Sequence, residues 1–407
     1  GLQSGDQILA VDGVEVRDFA GTQVEAKPYV VDWDASAAEK GGYDLFMLKE
    51  IAEQPKAVAD ALRGRIDAEQ RIQLDETALD DAVLRDITKV VVVACGTAAH
   101  AGMVAKYAIE HWTRLPVDVE LASEFRYRDP IVGPDALVIA ISQSGETMDT
   151  LMALRHAKAQ GARTLAICNT VGSTIPRESD AVLYTYAGPE IAVASTKAFL
   201  TQIIASYLVG LYLAQARGTM FEDEIRAILS DLGDMPQKVD LVLDTVEPIR
   251  DLARRFADSP SVLFLGRHVG YPVALEGALK LKELAYMHAE GFPAGELKHG
   301  PIALIEEGIP VIVVVPSPRG RAVLHDKIVS NIQEVRARGA SVIAIAEEGD
   351  EAIVGVADHV IRVPETPTLM QPLVSTVPLQ VFACELATVK GHDVDQPRNL
   401  AKSVTME

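Results

Sequence analysis

Six residues, Ser142, Gln143, Ser144, Gly145, Glu146 and Thr147, follow an uncharged apolar run that begins at Ala136 and precede a long helical pattern. A buried strand that opens into a hydroxyl-rich, glycine-containing turn at a helix start is suited to holding an anion. The N–H groups of the turn and of the first helical residues lack intrahelical partners and carry partial positive charge. Ser and Thr add donors there without adding bulk. No Lys follows the glycine, which excludes the nucleotide P-loop. One Ser or Thr would serve as an ordinary helix cap; three hydroxyls and an amide in six residues exceed that need and favour a phosphate cradle. Three other groups could do chemistry. Glu276, Lys280 and Glu283, at i, i+4 and i+7 in YPVALEGALKLKELAYMH, share one helical face. That stripe is either a solvated ion-pair surface or a buried charged cluster. The aliphatic residues around it, and Gly277 in its middle, leave both readings open. His299 lies in the glycine-bracketed loop GELKHGP, a setting that suits function better than a core His would. Lys402 lies in the terminal DVDQPRNLAKSVTME, which on composition alone reads as a solvated, disordered tail.

The elements that must position these groups are legible from periodicity. From about Val90 the chain alternates strand and helix: VVVACGT, HAGMVAKYAIEHW, VDVELA, ALVIAIS, MDTLMALRHAKAQ, TLAICN, with glycine at helix ends. That alternation predicts a parallel, doubly wound sheet. The pattern then recurs. SVLFLGRH echoes VVVACGTA, PVIVVVPS echoes ALVIAISQ, and NIQEVRARGASVIAIA echoes RHAKAQGARTLAIC. The offset drifts only from 171, between Gly96 and Arg267, to 178, between Gly161 and Gly339. The expected fold class is therefore α/β, with two tandem parallel-sheet domains related by internal duplication. The second copy carries PSPRG where the first carries SQSGET, so one copy should hold the phosphate and the other should contribute something else.

Bulk composition narrows the partners. The 407 residues are too many for one ordinary core. Aromatics make up 5%, so small aliphatics must fill the interior, as parallel sheets prefer. A formal net charge of −20 argues against binding nucleic acid, which rests on neutralising phosphates with Lys and Arg. Cys95, Cys168 and Cys384 are scattered and odd in number, which suits neither a disulfide framework nor a metal knuckle; Cys95 and Cys168 read as small buried residues. No metal-ligand cluster is visible. No signal-peptide pattern opens the sequence. The run from Ala198 to Ala216 is interrupted by Thr201, Gln202, Ser206 and Gly210 and is expected to fall short of a membrane span, as a buried helix. The expectation is a soluble cytoplasmic protein with no membrane partner.

Five segments follow. Residues 1–25 contain a hairpin signal, GDQILAVDGVEVRDF around Asp12-Gly13, that reads as the end of a domain whose body is absent. Residues 26–80 form a linker and a helical lead-in starting near Tyr43. Residues 81–235 form the first α/β domain with the cradle, 236–394 the second, and 395–407 the terminal tail.

Taken together, SQSGET, VASTKAF, EGALKLKE, GELKHGP and the terminal DVDQPRNLAKSVT resemble the sugar isomerase (SIS) half of the glucosamine-6-phosphate synthase family, from roughly residue 40 to the end. The resemblance implies conversion of fructose 6-phosphate to glucosamine 6-phosphate, the first step of hexosamine synthesis. It implies that Ser142, Gln143, Ser144 and Thr147 hold the phosphate and that Thr97, Val193, Ser195 and Ala401 line the sugar. It further implies that Glu283 moves the proton between C1 and C2, and that Lys402 forms a Schiff base with Lys280 and Glu276 nearby. His299 would open the sugar ring from across a homodimer interface. By this resemblance the tail is a folded active-site segment, contrary to its composition.

The residue types suit that chemistry. Ring opening needs a proton shuttle near neutral pH, which His supplies. A Lys amine adds to a ketone if its surroundings release its proton. Enolisation needs a base over C1–C2, and a partly desolvated Glu beside a fixed cation serves. A phosphate anchored away from the reacting carbons gives orientation. No metal or redox cofactor is required, and glucose 6-phosphate is the expected second ligand. Two departures stand out. Ala98 replaces a Ser common in the family, removing one hydroxyl. No Cys precedes Cys95, so the glutaminase nucleophile of the family is not in this chain, and an isolated isomerase portion is expected that does not hydrolyse glutamine. Two other readings are a tandem sugar-phosphate sensor, which would need no Schiff-base lysine, and a fructosamine-type deglycase.

Overall fold

In the computed structural model, residues 39–405 are described apart from 75, 76 and 78–80; the hairpin of residues 1–25 and most of the expected linker lie outside the described residues. The lead-in forms two helices, α1 (Phe46–Ala52) and α2 (Gln54–Leu62), because Pro55 falls at a helix start where its fixed φ fits and its missing N–H costs nothing. After α3 (Asp81–Asp86) the first sheet begins. Its strands are β1 (Lys89–Ala94), β2 (Val117–Leu121), β3 (Ala136–Ser142), β4 (Arg163–Cys168) and β5 (Ala181–Tyr184). The intervening helices are α4 (Gly96–Thr113), α5 (Ala122–Phe125), α6 (Met148–Ala159) and α7 (Thr174–Glu178), and α8 (Lys197–Arg217) follows. Helices α9 (Glu222–Gly233), α10 (Met235–Val242) and α11 (Val246–Phe256) lead to the second sheet, β6 (Ser261–Gly266), β7 (His288–Pro293), β8 (Pro310–Val314), β9 (Ser341–Glu347) and β10 (His359–Val363). That sheet carries α12 (Gly270–Ala285), α13 (Ala322–Arg336) and α14 (Gln371–Val389).

The sheet orders are β2-β1-β3-β4-β5 and β7-β6-β8-β9-β10, all parallel, so each strand has a counterpart at the same place in the other sheet. Tandem duplication of one α/β unit is the architecture. Every residue of β3 and β8 is buried, as expected of central parallel strands covered on both faces. One large apolar cluster joins the inner faces of both sheets through α4, α8, α12 and α14; each outer face has its own smaller cluster. Helix α12 therefore lies between α4 and α14, inside the shared layer. Gly277 is the close approach that permits this: a Cβ there would stand 2.8 Å from Leu379 and 2.9 Å from the Phe264 ring.

One expectation needs correction. Both α8 and α14 are long and apolar enough to cross a membrane by length and composition, so the Ala198 run does not fall short on those grounds. What marks them as core helices is burial: 89% of the most apolar window of each is covered by protein. The polar residues Thr201, Gln202 and Ser206 are buried with the rest.

Candidate functional site

The turn after β3 is built around its own hydroxyls. Ser142 Oγ accepts the Gly145 N–H at 3.0 Å and lies 3.1 Å from Thr147 Oγ1, while Ser144 Oγ accepts the Glu146 N–H at 3.2 Å. Gly145 has φ +66°, and a Cβ there would fall 1.9 Å from Ser173 Oγ. The turn is tied to α7 by the Ile175 N–H to Gly145 O (2.9 Å) and the Thr174 N–H to Glu146 Oε1 (2.8 Å).

The terminal segment is folded over this turn. Val404 O accepts the N–H of Met148, the first residue of α6, at 3.0 Å, and Ser403 Oγ lies 3.4 Å from Ser144 Oγ. Asp395 caps α1 through the N–H groups of Phe46 and Met47, and its carbonyl accepts the Val193 N–H at 3.0 Å. Tyr286 Oη accepts the Arg398 N–H at 2.7 Å. The disordered tail that composition suggests is therefore corrected for residues 395–405; the carbonyls and carboxylate of this segment complete helix ends elsewhere.

A pocket results whose lining includes Thr97, Ala98, Ser142, Gln143, Ser144, Thr147, Ser195 and Lys402. Of the thirteen anticipated site residues, seven line this pocket, namely Thr97, Ser142, Gln143, Ser144, Thr147, Ser195 and Lys402, and six do not. Thr97 links the two groups. Its hydroxyl donates to Glu276 Oε1 at 3.0 Å and accepts from Lys280 Nζ at 3.1 Å. Lys280 in turn lies 3.4 Å from Glu276 and 2.5 Å from Glu283. Glu276 and Lys280 are fully buried and Glu283 is one-fifth exposed, so the charged stripe is a buried cluster and not a solvated face. Burial opposes ionisation of Lys280, but Glu283 and Glu276 outweigh it and hold the ammonium charged. Burial likewise works against Glu276, yet Lys280, the His100 ring at 2.7 Å and Thr97 keep its carboxyl below the usual range. Val193 is half-buried and Ala401 exposed; neither is among the pocket-lining residues. His299 ends a 3-10 turn after β7, is exposed, and does not line the pocket within one chain.

Several neighbours escape sequence reasoning. Lys402 Nζ donates to Glu190 Oε2 at 2.6 Å and to Ala192 O at 2.7 Å. Glu190 is fully buried; burial raises its pKa, but Lys402 and the N–H groups of Thr196 and Ala198 prevail and keep it low. Behind it, Glu50 accepts the N–H groups of Ile191 and Ala192, and burial together with the charge of Glu190 pushes it up to about 8. Gln202 lines the pocket with a buried amide oxygen that has no partner among the described residues. Cys95 is half-buried at the pocket wall, not a core residue; burial raises its thiol pKa. Glu190 did carry a signal, as the one charge in the apolar and hydroxyl loop AGPEIAVAST; Glu50, one of many acids on an amphipathic lead-in, carried none.

The SIS domain profile matches residues 83–211 and 255–390, one match on each sheet unit. The chain belongs to the SIS-domain family. Among SIS relatives, glutamine–fructose-6-phosphate aminotransferase [isomerizing] of Streptomyces coelicolor is 72% identical over 99% of this chain, and the enzyme of that name from Mycobacterium tuberculosis H37Rv is 65% identical over 98%. This chain spans 66% and 65% of the length of those two proteins. Among solved structures, the C-terminal domain of glucosamine-fructose-6-phosphate aminotransferase from Francisella tularensis superposes with a TM-score of 0.83 at 40% identity, over 88% of this chain and all of that one. Tagatose-6-phosphate ketose/aldose isomerase from Escherichia coli, at 20% identity and TM-score 0.69, shares the SIS fold.

Proposed function

We propose that this SIS pair is the isomerase portion of a glutamine–fructose-6-phosphate aminotransferase, a cytoplasmic enzyme that converts fructose 6-phosphate to glucosamine 6-phosphate with ammonia delivered from elsewhere. The observation that carries the reading is the meeting of Lys402 with Ser142, Gln143, Ser144, Thr147 and Thr97 in one pocket. A cradle alone would bind a sugar phosphate; an amine brought to it from the far end of the chain gives the ketone something to react with.

In this reading the turn after β3 holds the phosphate, and Thr97, Val193, Ser195 and Ala401 line the hexose. His299 opens the ring from the second subunit of a homodimer, and Lys402 adds to C2. Glu283 then carries the proton between C1 and C2, with Lys280 as a fixed cation beside the enolate oxygen and Glu276 anchoring Lys280. Glucose 6-phosphate occupies the same pocket. The working units are residues 81–235, 236–394 and the tail 395–407.

Substituting Lys402→Ala tests it. Interconversion of fructose and glucose 6-phosphates should fall by about a thousandfold or more, because in this reading Lys402 is the amine that adds to the ketone while Lys280 stays a charged cation held by Glu276 and Glu283. Glucose 6-phosphate affinity, read by calorimetry, should stay within about threefold, since the phosphate contacts lie in the turn. Full activity in that variant would overturn the role of Lys402 and leave a sugar-phosphate sensor. Turnover of glycated amino-acid phosphates in place of fructose 6-phosphate would make the protein a deglycase.

A further inference from the structure

Lys402 meets the pocket through its side-chain nitrogen. Its nitrogen is fixed by two acceptors, Glu190 Oε2 at 2.6 Å and Ala192 O at 2.7 Å. An ammonium has no lone pair, so it cannot add to a ketone until a proton leaves it. Of its two partners, only the carboxylate can accept a proton.

The two oxygens of Glu190 have different duties. Oε1 accepts the N–H groups of Thr196 (2.8 Å) and Ala198 (3.0 Å) at the start of α8, and lies 3.5 Å from Ser195 Oγ. Oε2 is engaged by Lys402. The carboxylate is thus held in place by one oxygen while the other faces the amine. A second carboxyl, Glu50, braces the same loop from behind. Its Oε1 accepts the N–H groups of Ile191 and Ala192, and its Oε2 is buried with no hydrogen-bond partner among the described residues. Two carboxyls crowded in one dry site cannot easily both ionise. Glu50 is the one kept neutral, which leaves Glu190 as the charged partner of Lys402. Lys280, which is fully buried, has a different environment: it is enclosed by Glu276, Glu283 and Thr97.

The geometry points to Glu190 as the acid–base partner of Lys402. This assignment rests on the Schiff-base reading above. Glu190 takes one proton from the ammonium, giving a neutral amine and a neutral carboxylic acid. The amine nitrogen bonds to C2 of the open ketose, and its second proton passes to the former carbonyl oxygen, giving a carbinolamine. Glu190 then returns its borrowed proton to that hydroxyl; the C2–O bond breaks, water leaves, and the nitrogen lone pair forms the iminium. No net proton is gained or lost, and no outside reagent is needed. Glu50 is a positioning residue, holding the 190–192 loop that carries both acceptors of Lys402.

Borohydride trapping tests this. The protein is mixed with fructose 6-phosphate and sodium borohydride, and the reduced sugar adduct on the Lys402 peptide is followed over time by mass spectrometry. The wild-type chain should trap at Lys402. In Glu190→Gln the trapping rate should fall by about a hundredfold, and should climb steeply as pH is raised, because solvent base must now deprotonate the amine. Glucose 6-phosphate affinity should change by less than about threefold, as the cradle is untouched. Equal trapping rates in wild type and Glu190→Gln would overturn the assignment. Absence of any Lys402 adduct in the wild type would overturn the Schiff-base reading itself, so the two failures are distinct. Should the Gln variant melt below the assay temperature, Glu190→Asp decides: a shorter carboxylate should slow trapping about tenfold with an unchanged KM, and an unaltered rate would sink the proposal.

Discussion

Glu50 illustrates how a buried carboxyl writes a pH dependence into stability. Folding pushes it up to about 8 from its ordinary 4.5, first through burial and then through the charge of Glu190. Above pH 4.5 the unfolded chain gives up this proton while the folded chain keeps it. The native state then binds more protons than the unfolded one, so stability falls as pH rises from about 4.5 to 8, by about 5 kcal/mol from this group alone. Glu50→Gln removes that cost, since an amide keeps an acceptor for Ile191 and Ala192 and never ionises. Melting temperatures taken at pH 5 and pH 8.5 should show the variant gaining on wild type at the higher pH; parallel curves would mean Glu50 is already ionised in the fold. At this scale the sequence disclosed groups whose chemistry is local, the hydroxyls of the turn, whereas Lys402 stood out only through the family resemblance. It did not disclose Glu50, because what makes Glu50 unusual is Glu190, 140 residues away in the chain, and nothing in the helix around it records that neighbour.

Among the elements, the β3–α6 turn is the one whose form most directly follows from its residues. Gly145 adopts φ +66°, a conformation that costs an ordinary residue about 1–2 kcal/mol. A methyl there would also collide with Ser173, which is buried and fixed by its bond to Thr170 O at 2.7 Å. Gly145→Ala should therefore lower stability by about 2–3 kcal/mol. If the turn holds the phosphate as proposed, the substitution should also weaken glucose 6-phosphate by about tenfold or more, because relief of the clash moves the turn that carries Ser142, Ser144 and Thr147. Denaturation midpoints and calorimetry measure the two effects; a stability loss with unchanged affinity would separate the turn from ligand binding. The strand–helix elements and their duplication were readable because both copies repeat the same periodicities in the same order. The charged stripe of α12 was not, because periodicity shows which residues share a face and not what that face meets. Only α4 and α14, closing on either side, decide that Glu276 and Lys280 are dry. The terminal segment was unreadable for a related reason. Its order comes from capping α1 and α6 and from meeting Val193 and Tyr286, contacts supplied by distant parts of the chain.

At the scale of the whole molecule, the anticipated site is divided. The pocket holds Lys402 and the cradle, whereas His299 sits exposed beyond β7 of the second unit and outside that pocket. If ring opening needs His299, the imidazole has to come from another copy of the chain, and an isologous dimer would supply one in each direction. Subunit mixing distinguishes this from a histidine acting within its own chain. Lys402→Ala and His299→Ala should each be inactive alone. Unfolded together and refolded at equal amounts, random pairing makes about half the dimers mixed. In each mixed dimer one pocket has its own Lys402 and faces the intact His299 of the other subunit; the second pocket lacks both. One competent pocket in half of the dimers predicts about a quarter of wild-type activity from two dead proteins. A histidine serving its own chain predicts no recovery at any mixing ratio, because every Lys402-bearing chain would then lack its imidazole. If His299 acts across such a dimer, the recovered activity should also disappear on dilution below the dissociation constant of the dimer and return on concentration.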